Sequence, residues 1–167
     1  MRYFPAALAL SLLVGVTASV GVAEPAQIDP RAADLLAQGK AKMAAGDVQD
    51  ATNSFEAALA IDPGQPSIYL ELAAAARHDG LQGKAIHYYR EAQVRAPSNL
   101  SAISGEGEAL VEKGAVEKAK RNLAKLKSMC GDSCDEAKEL AAAIAKGPSP
   151  KVLTAEAVAP APIVTQN

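Results

Sequence analysis

A step of 34 residues recurs along this chain and restricts its fold more than any other feature. Each copy carries a glycine, an alanine, a large apolar residue, a second small or apolar residue and a chain breaker. In that order the positions are Gly46, Gly80 and Gly114; Ala51, Ala85 and Ala119; Phe55, Tyr89 and Leu123; Ala58, Ala92 and Leu126; and Pro63, Pro97 and Gly131. This arrangement is typical of repeated helical hairpins. The sequence therefore predicts an all-α fold, a solenoid in which hairpins stack side by side.

The composition agrees with a helical array and disfavours two classes of partner. Apolar residues make up 49% of the chain, with only 4% aromatic residues and no tryptophan. Alanine favours helices that approach one another closely, and no segment shows the two-residue alternation of a half-buried strand. A formal net charge of −2 gives no general attraction to nucleic acid or to an anionic membrane. We therefore expect no nucleic-acid partner.

Residues 1–23 predict a secretory signal peptide. Arg2 provides a basic start, residues 4–22 carry no charge, and Gly21-Val22-Ala23 supplies small residues where a signal peptidase cleaves. The alternative is an uncleaved membrane anchor, because such a stretch comes close to spanning a bilayer; Pro5 argues against it. We expect an exported protein in the periplasm of a Gram-negative bacterium, without membrane insertion after signal removal. Secretion and anchoring by an uncleaved signal remain the alternatives.

The rest of the chain is predicted to contain three hairpins and a seventh helix. A short linker, 24–31, leads into hairpins at 32–65, 66–99 and 100–131, and the seventh helix occupies 132–146. Ser133, with Glu136 three residues later, predicts a capping box at the start of that helix. Residues 147–167 are rich in alanine and proline with little charge, which predicts a disordered tail.

These residues resemble the tetratricopeptide repeat family, whose pattern runs through residues 32–131. The resemblance is specific in the first two copies and looser in the third, and it implies three repeats followed by a capping helix. The matching positions are Leu35, Gly39, Ala51, Phe55, Ala58 and Pro63 in the first copy; Tyr69, Leu72, Ala73, Ala85, Tyr89, Ala92 and Pro97 in the second; and Ile103, Gly107, Leu110, Ala119, Leu123 and Leu126 in the third.

The resemblance also implies how the repeats pack. The small residues at 39, 73 and 107 are expected opposite the alanines at 51, 85 and 119, where they let paired helices cross closely. Large residues at 55, 89 and 123 are expected to fill the wedge between neighbouring hairpins. Gln38, Lys42 and Glu106 depart from the family's apolar or aromatic residues. We therefore expect the first and third repeats to be more loosely packed than the second.

In this family the first helices of the hairpins line a concave groove that binds peptides. Some members clamp a terminal carboxylate there, but only Lys40 is a fitting donor in this chain. The groove is expected to be apolar and basic at its centre and acidic at its far end, which suits an extended or helical peptide of mixed charge. The alternative is an ordinary solvated face. By position the groove residues are Leu36, Ala37, Lys40, Met43, Leu70, Glu71, Ala74, Arg77, His78, Ser104, Glu108, Val111 and Glu112.

Cys130 and Cys134 are the two cysteines of the chain. In an exported protein, a lone pair this close predicts a disulfide, which would join the sixth helix to the seventh. The alternative is a thiol-redox or metal-handling pair, since a thiol near a helix start is the more reactive kind. The local sequence lacks a histidine ligand, and Met129 alone is weak support for copper.

The motifs favour an interaction protein over an enzyme. We find no phosphate-binding loop, nucleophile elbow or paired histidines, so we predict no enzymatic activity and no cofactor. Our first hypothesis is an exported adaptor or scaffold that binds a segment of another envelope or secreted protein, in envelope assembly or maturation. The alternatives are a redox or metal factor at Cys130 and Cys134, and a structural protein that self-associates through the open face at 32–43.

Overall fold

The computed structural model describes residues 27–148. The predicted signal peptide and residues 149–167 of the predicted tail lie outside this part. Within it the prediction of an all-α fold is confirmed, and no helix is long and apolar enough to cross a membrane. The helices are α1 (Pro30–Ala45), α2 (Val48–Ile61), α3 (Pro66–His78), α4 (Gln82–Arg95), α5 (Leu100–Glu112), α6 (Val116–Cys130) and α7 (Asp135–Lys146).

The recurring glycines close the first helix of each hairpin. Gly46, Gly80 and Gly114 have φ angles of 87°, 73° and 85°. Glycine adopts this left-handed conformation without the steric cost that a Cβ atom brings. Each hairpin can therefore reverse the chain within a few residues, and the 34-residue step marks a true structural unit.

The start of α7 differs from the prediction. Cys134 precedes the first helical residue, and its side chain makes no capping hydrogen bond, so the capping box at Ser133 is wrong. Two acidic residues, Asp135 and Glu136, instead occupy the first turn. Their charge favours the positive end of the helix dipole.

The helices form an inner and an outer layer. Each hairpin packs its own two helices together, and successive hairpins pack against one another. Contacts also join α1 to α3, α3 to α5 and α5 to α7. We call α1, α3, α5 and α7 the inner layer, and the remaining helices form the outer layer.

The core fills the space between the two layers. Its largest fully buried side chains are Phe55, Ile68, Leu72, Ile103, Leu126 and Leu140. Leu123 is only partly buried, so it fills its wedge less completely than Phe55 and Tyr89. Pro63 and Pro97 are exposed just beyond the ends of α2 and α4. The following residues of the repeat pattern are buried: Gly39, Ala51, Phe55, Ala58, Tyr69, Leu72, Ala85, Tyr89, Ala92, Gly107 and Ala119.

Some helical glycines make room for large side chains. A Cβ atom on Gly39 would lie 2.3 Å from Cε1 of Phe55, and one on Gly107 would lie 2.5 Å from Cδ2 of Leu140. The small residues therefore admit an aromatic ring and a leucine of the seventh helix, whereas we expected them to face the alanines at 51 and 119. Gly107 is thus the position that seats the capping helix.

Glu106 does not disturb the packing of α5 in the third repeat. Residues 102–107 of α5 are all buried, including Glu106, which is 7% exposed. Its carboxylate accepts hydrogen bonds from Arg90 Nε at 2.7 Å, Gln93 Nε2 at 2.8 Å and Asn122 Nδ2 at 3.2 Å. A buried carboxylate with three donors is satisfied. Glu106 therefore joins α4, α5 and α6 at a position where the resemblance led us to expect an apolar contact.

Candidate functional site

Ion pairs connect the inner-layer helices in series. Lys40 Nζ lies 3.0 Å from Glu71 Oε1, which joins α1 to α3. Arg77 Nη1 lies 2.8 Å from Glu108 Oε2, and the same guanidinium contacts Glu112, which joins α3 to α5. The structure thus brings five of the predicted groove residues together in oppositely charged pairs.

Arg77 is the centre of this arrangement. Its Nε donates a hydrogen bond to Glu112 Oε2 at 3.2 Å, and only 24% of its side chain is exposed. Burial alone would lower the pKa of Arg77, but hydrogen bonding to Glu112 and the charge of Glu108 outweigh it and hold this pKa above the usual range. Arg77 is therefore always charged, yet two carboxylates balance it. The basic centre that we expected from the sequence is wrong, because carboxylates pair with both Lys40 and Arg77.

The larger of two neighbouring clefts lies where the inner-layer helices end. Its volume is about 720 Å³, and we call it the carboxyl-end cleft because α3, α5 and α7 all finish beside it. The carboxyl ends of helices carry partial negative charge. Ala143 is partly buried and contributes an apolar surface, whereas Val111 is only 2% exposed and belongs to the core beneath it. The lining residues are Arg77, Gln82, Glu108, Val111, Glu112, Ala143, Lys146, Gly147 and Pro148.

The smaller cleft is strongly acidic. It has a volume of about 240 Å³ and lies between α5 and the start of α7; we call it the acidic cleft. Arg77 and Glu108 line both clefts, so the two are neighbours. Within the described residues, Glu136 and Glu139 make no ion pair. The lining residues are Arg77, Tyr89, Ser101, Ser104, Gly105, Glu108, Asp135, Glu136 and Glu139.

Tyr89 forms an aromatic wall of the acidic cleft. A Cβ atom on Gly105 would lie 2.4 Å from its ring, so the backbone of α5 lies close against the ring. Burial raises the pKa of Tyr89, and the neighbouring charge of Arg77 opposes this only in part. Tyr89 therefore remains a neutral phenol at physiological pH, with an apolar ring and a polar hydroxyl.

The other predicted groove residues have different environments. Leu36 is 8% exposed and belongs to the core of the first hairpin rather than to the groove surface. Met43, Leu70 and Ala74 are partly buried, and His78 is exposed at the end of α3. The open, chemically distinctive part of the inner layer therefore lies towards α5 and α7.

Sequence reasoning missed the contribution of α7. It identified the seventh helix as a solvating cap, whereas Glu136, Glu139 and Ala143 line the clefts. Glu136 and Glu139 are three residues apart and so share one helix face. The sequence therefore indicated that the two carboxylates share a face of α7. It did not show that this face lies opposite α5.

The structure joins the two cysteines at the α6–α7 connection. Cys130 and Cys134 are bonded through their sulfurs, with Cα atoms 5.9 Å apart. An ion pair between Lys127 and Asp132, at 2.9 Å, spans the same turn. Within residues 27–148, no group of three histidine, cysteine, aspartate or glutamate side chains is placed to hold a metal ion. The two sulfurs thus tie together the helix ends that position the acidic cleft.

Comparison with known sequences identifies the repeat. The family model described as tetratricopeptide repeat matches residues 36–100, which cover most of the first two hairpins. No curated protein matches the chain significantly.

Comparison with solved structures extends this similarity to the whole array. The Sgt2 TPR domain from Aspergillus fumigatus has 25% identity and a TM-score of 0.65, over 83% of this chain and 90% of that one. The TPR2B domain of yeast Sti1, in a complex with pHsp70, has 18% identity and a TM-score of 0.66, over 71% and 96%. The Yersinia enterocolitica type III secretion chaperone SycD, in complex with a peptide of the translocator YopD, has 21% identity and a TM-score of 0.60, over 75% and 92%. These likenesses show a shared helical array.

Proposed function

The chain belongs to the tetratricopeptide repeat family, and we propose that it is an interaction module that binds a peptide segment of another protein along its inner layer. The similar Sti1 and SycD domains were each solved with a bound partner, which supports this kind of role. The observation that carries the proposal is the pair of neighbouring clefts beside Arg77 and Glu108. A peptide lying along α5 and α7 would place one side chain in each cleft.

The electrostatics of the clefts favour a basic segment. The guanidinium of Arg77 is already balanced by Glu108 and Glu112. Glu136 and Glu139 line the acidic cleft and have no cationic partner among the described residues. We propose that a lysine or arginine of the partner enters the acidic cleft, beside the ring of Tyr89, where a cation also gains from the aromatic face.

An apolar side chain would complete the recognition. Ala143 and Pro148, both partly buried, give the carboxyl-end cleft an apolar surface. A partner segment with one basic and one apolar residue at close spacing therefore fits both clefts. The sequence led us to expect a peptide of mixed charge, and this proposal specifies one basic and one apolar residue within it.

We further propose that the partner belongs to the bacterial envelope or is secreted. The support for this is the predicted signal peptide at residues 1–23 and the closely spaced Cys130 and Cys134. The role would be that of an adaptor or scaffold in envelope assembly or maturation. Self-association through α1 has less support, because the large apolar side chains exposed in the described residues are Leu81, Val94 and Met129, none of which lies on α1.

Site-specific crosslinking tests whether the inner layer is the binding surface. A photoreactive residue at position 139 lies in the acidic cleft, and one at position 94 lies on the outer layer, where Val94 is 73% exposed. We expect a defined adduct in cells from position 139 and none of the same size from position 94. Mass spectrometry of the adduct identifies the partner segment. Identical adducts from both positions would contradict the proposal.

Binding of the identified segment as a synthetic peptide tests the charge argument. Glu139→Lys should weaken binding roughly fivefold, equivalent to about 1 kcal/mol for replacing an attraction between exposed charges by repulsion. Glu117→Lys makes the same change on α6 of the outer layer, at a side chain that is 79% exposed, and should leave the affinity unchanged. Equal affinities for the two variants would refute a role for the acidic cleft.

A further inference from the structure

The backbone just after α7 runs along the carboxyl-end cleft. Gly147 and Pro148, the last described residues, line the cleft themselves. Gly147 has φ 75° and ψ −179°, a conformation essentially restricted to glycine. Because of this conformation, the backbone departs from the axis of α7 at this point. Any segment that follows is therefore tethered at the cleft and meets it at a high effective concentration.

The sequence immediately after Pro148 matches the chemistry of the cleft. It reads Ser149, Pro150, Lys151, Val152 and Leu153. Three residues extend at most about 10 Å, a reach that allows Lys151 to enter the cleft. The cleft offers the carboxylates of Glu108 and Glu112 beside the cations Arg77 and Lys146, so a lysine there adds to a mixed-charge network, and Ala143 offers an apolar contact for the residues that follow it.

A buried acceptor in the cleft provides an independent argument. The Oε1 atom of Gln82 is inaccessible to solvent and has no hydrogen-bond partner among the described residues. Buried polar atoms in native proteins are usually paired, because an unpaired one costs free energy. Gln82 lines the carboxyl-end cleft, so a donor that enters there can satisfy it. A backbone N–H or the ammonium of Lys151 supplies such a donor.

We propose that residues 149–153 fold back into the carboxyl-end cleft of the same chain. Lys151 then faces Glu108 and Glu112, and Leu153 packs against Ala143. The segment occupies one of the two clefts that we assign to the partner. This inference rests on the proposed function. Since the partner binds in the same cleft, the tail competes with it and must be displaced.

Tryptophan fluorescence tests the docking directly, because the chain contains no tryptophan. Leu153→Trp in the full chain places a single reporter in the docked segment, and Val164→Trp places a matched reporter further along the tail. We expect the first variant to emit at shorter wavelength and to be less quenched by iodide than the second. Adding Lys151→Glu to the first variant should shift its emission towards that of the second, since the glutamate has no donor for Gln82 Oε1 and meets the carboxylates of Glu108 and Glu112.

Each outcome decides the proposal. Equal emission and quenching of the two reporters would overturn it. A short-wavelength emission that disappears on dilution would also overturn it, because the occupant would then be a second copy of the chain. A circular dichroism spectrum of each variant verifies that the array is folded. The fluorescence measurement needs no partner. A negative fluorescence result would therefore reject tail docking without affecting the proposed function, and a negative crosslinking result at position 139 would reject the proposed function without affecting tail docking.

Discussion

Replacing Gly39 by alanine tests whether close packing against Phe55 holds the first hairpin together. The new Cβ atom would lie 2.3, 2.5 and 2.9 Å from three atoms of the Phe55 ring. Real Cβ atoms essentially never approach another heavy atom within 3.0 Å. Phe55 is completely buried, so its ring cannot move into solvent to relieve the contact.

Two opposing terms set the expected magnitude. Overpacking of a core costs about 1–3 kcal/mol, and contacts this short on a buried ring place Gly39→Ala in the upper half of that range. Alanine in a helix gains about 0.5–1 kcal/mol over glycine. We therefore expect Gly39→Ala to lower the free energy of unfolding by about 1–2 kcal/mol.

The same substitution at Gly83 is the matched control. Gly83 lies in the first turn of α4, and among residues 27–148 its added Cβ would meet Lys113 Nζ at 3.9 Å, the end of a flexible side chain. Gly83→Ala should raise the free energy of unfolding by about 0.5 kcal/mol through helix propensity.

Denaturant unfolding followed by circular dichroism at 222 nm, an ordinary helix signal, measures both changes. A double-mutant cycle with Phe55→Leu isolates the contact, since the smaller side chain should tolerate the alanine at position 39 with less loss. The reasoning fails if Gly39→Ala is as stable as Gly83→Ala, or if Phe55→Leu does not reduce its cost.

Three further predictions follow from the same contacts. The native protein should show no free thiol at Cys130 and Cys134, and reduction should lower the free energy of unfolding by about 1–2 kcal/mol because the closed loop is short; two thiols that react in the native state would contradict this. Glu106→Gln should lower the same free energy by about 1–2 kcal/mol, because it keeps the volume but loses the charge-assisted hydrogen bond from Arg90; an unchanged denaturation midpoint would refute it. Burial raises the pKa of Tyr89, so the folded chain keeps the phenol proton to higher pH than the unfolded chain, whose tyrosines titrate near pH 10. The stability due to this residue is therefore complete below about pH 10 and is lost at higher pH, and Tyr89→Phe should show a smaller fall in midpoint between about pH 9 and about pH 11.

Most of the fold could be predicted because the repeat encodes local and neighbouring contacts. Gly46, Gly80 and Gly114 require a positive φ angle, and each marks a hairpin turn at the predicted place. The apolar positions between them recur at helical spacing, so they indicate which face of each helix is buried. Hairpin turns and buried helix faces depend on residues that are close in sequence, so the periodicity of the sequence predicts them directly.

Contacts between distant helices could not be predicted in the same way. Glu106 was interpreted as a defect in the third repeat, yet donors on α4 and α6 satisfy it. Nothing in the spacing of Arg90 and Asn122 shows that their side chains converge on one carboxylate. The predicted capping residue of α7 was also wrong. Cys134 takes the capping position that the local motif assigned to Ser133.

The charge of the groove depends on this kind of long-range pairing, and it decides which charge reversals are informative. Arg77 looks like a basic anchor in sequence, but it contacts Glu108 and Glu112 and so holds α3 to α5. Reversing its charge would leave two carboxylates unpaired beside a third, so a loss of partner binding would not separate recognition from a disturbed array. Glu139 lines the acidic cleft without an ion pair among the described residues, so its reversal changes what a partner meets and breaks no ion pair seen between the helices. The residue that best tests recognition is therefore one that the repeat pattern did not identify, on the helix that seemed only to cap the array.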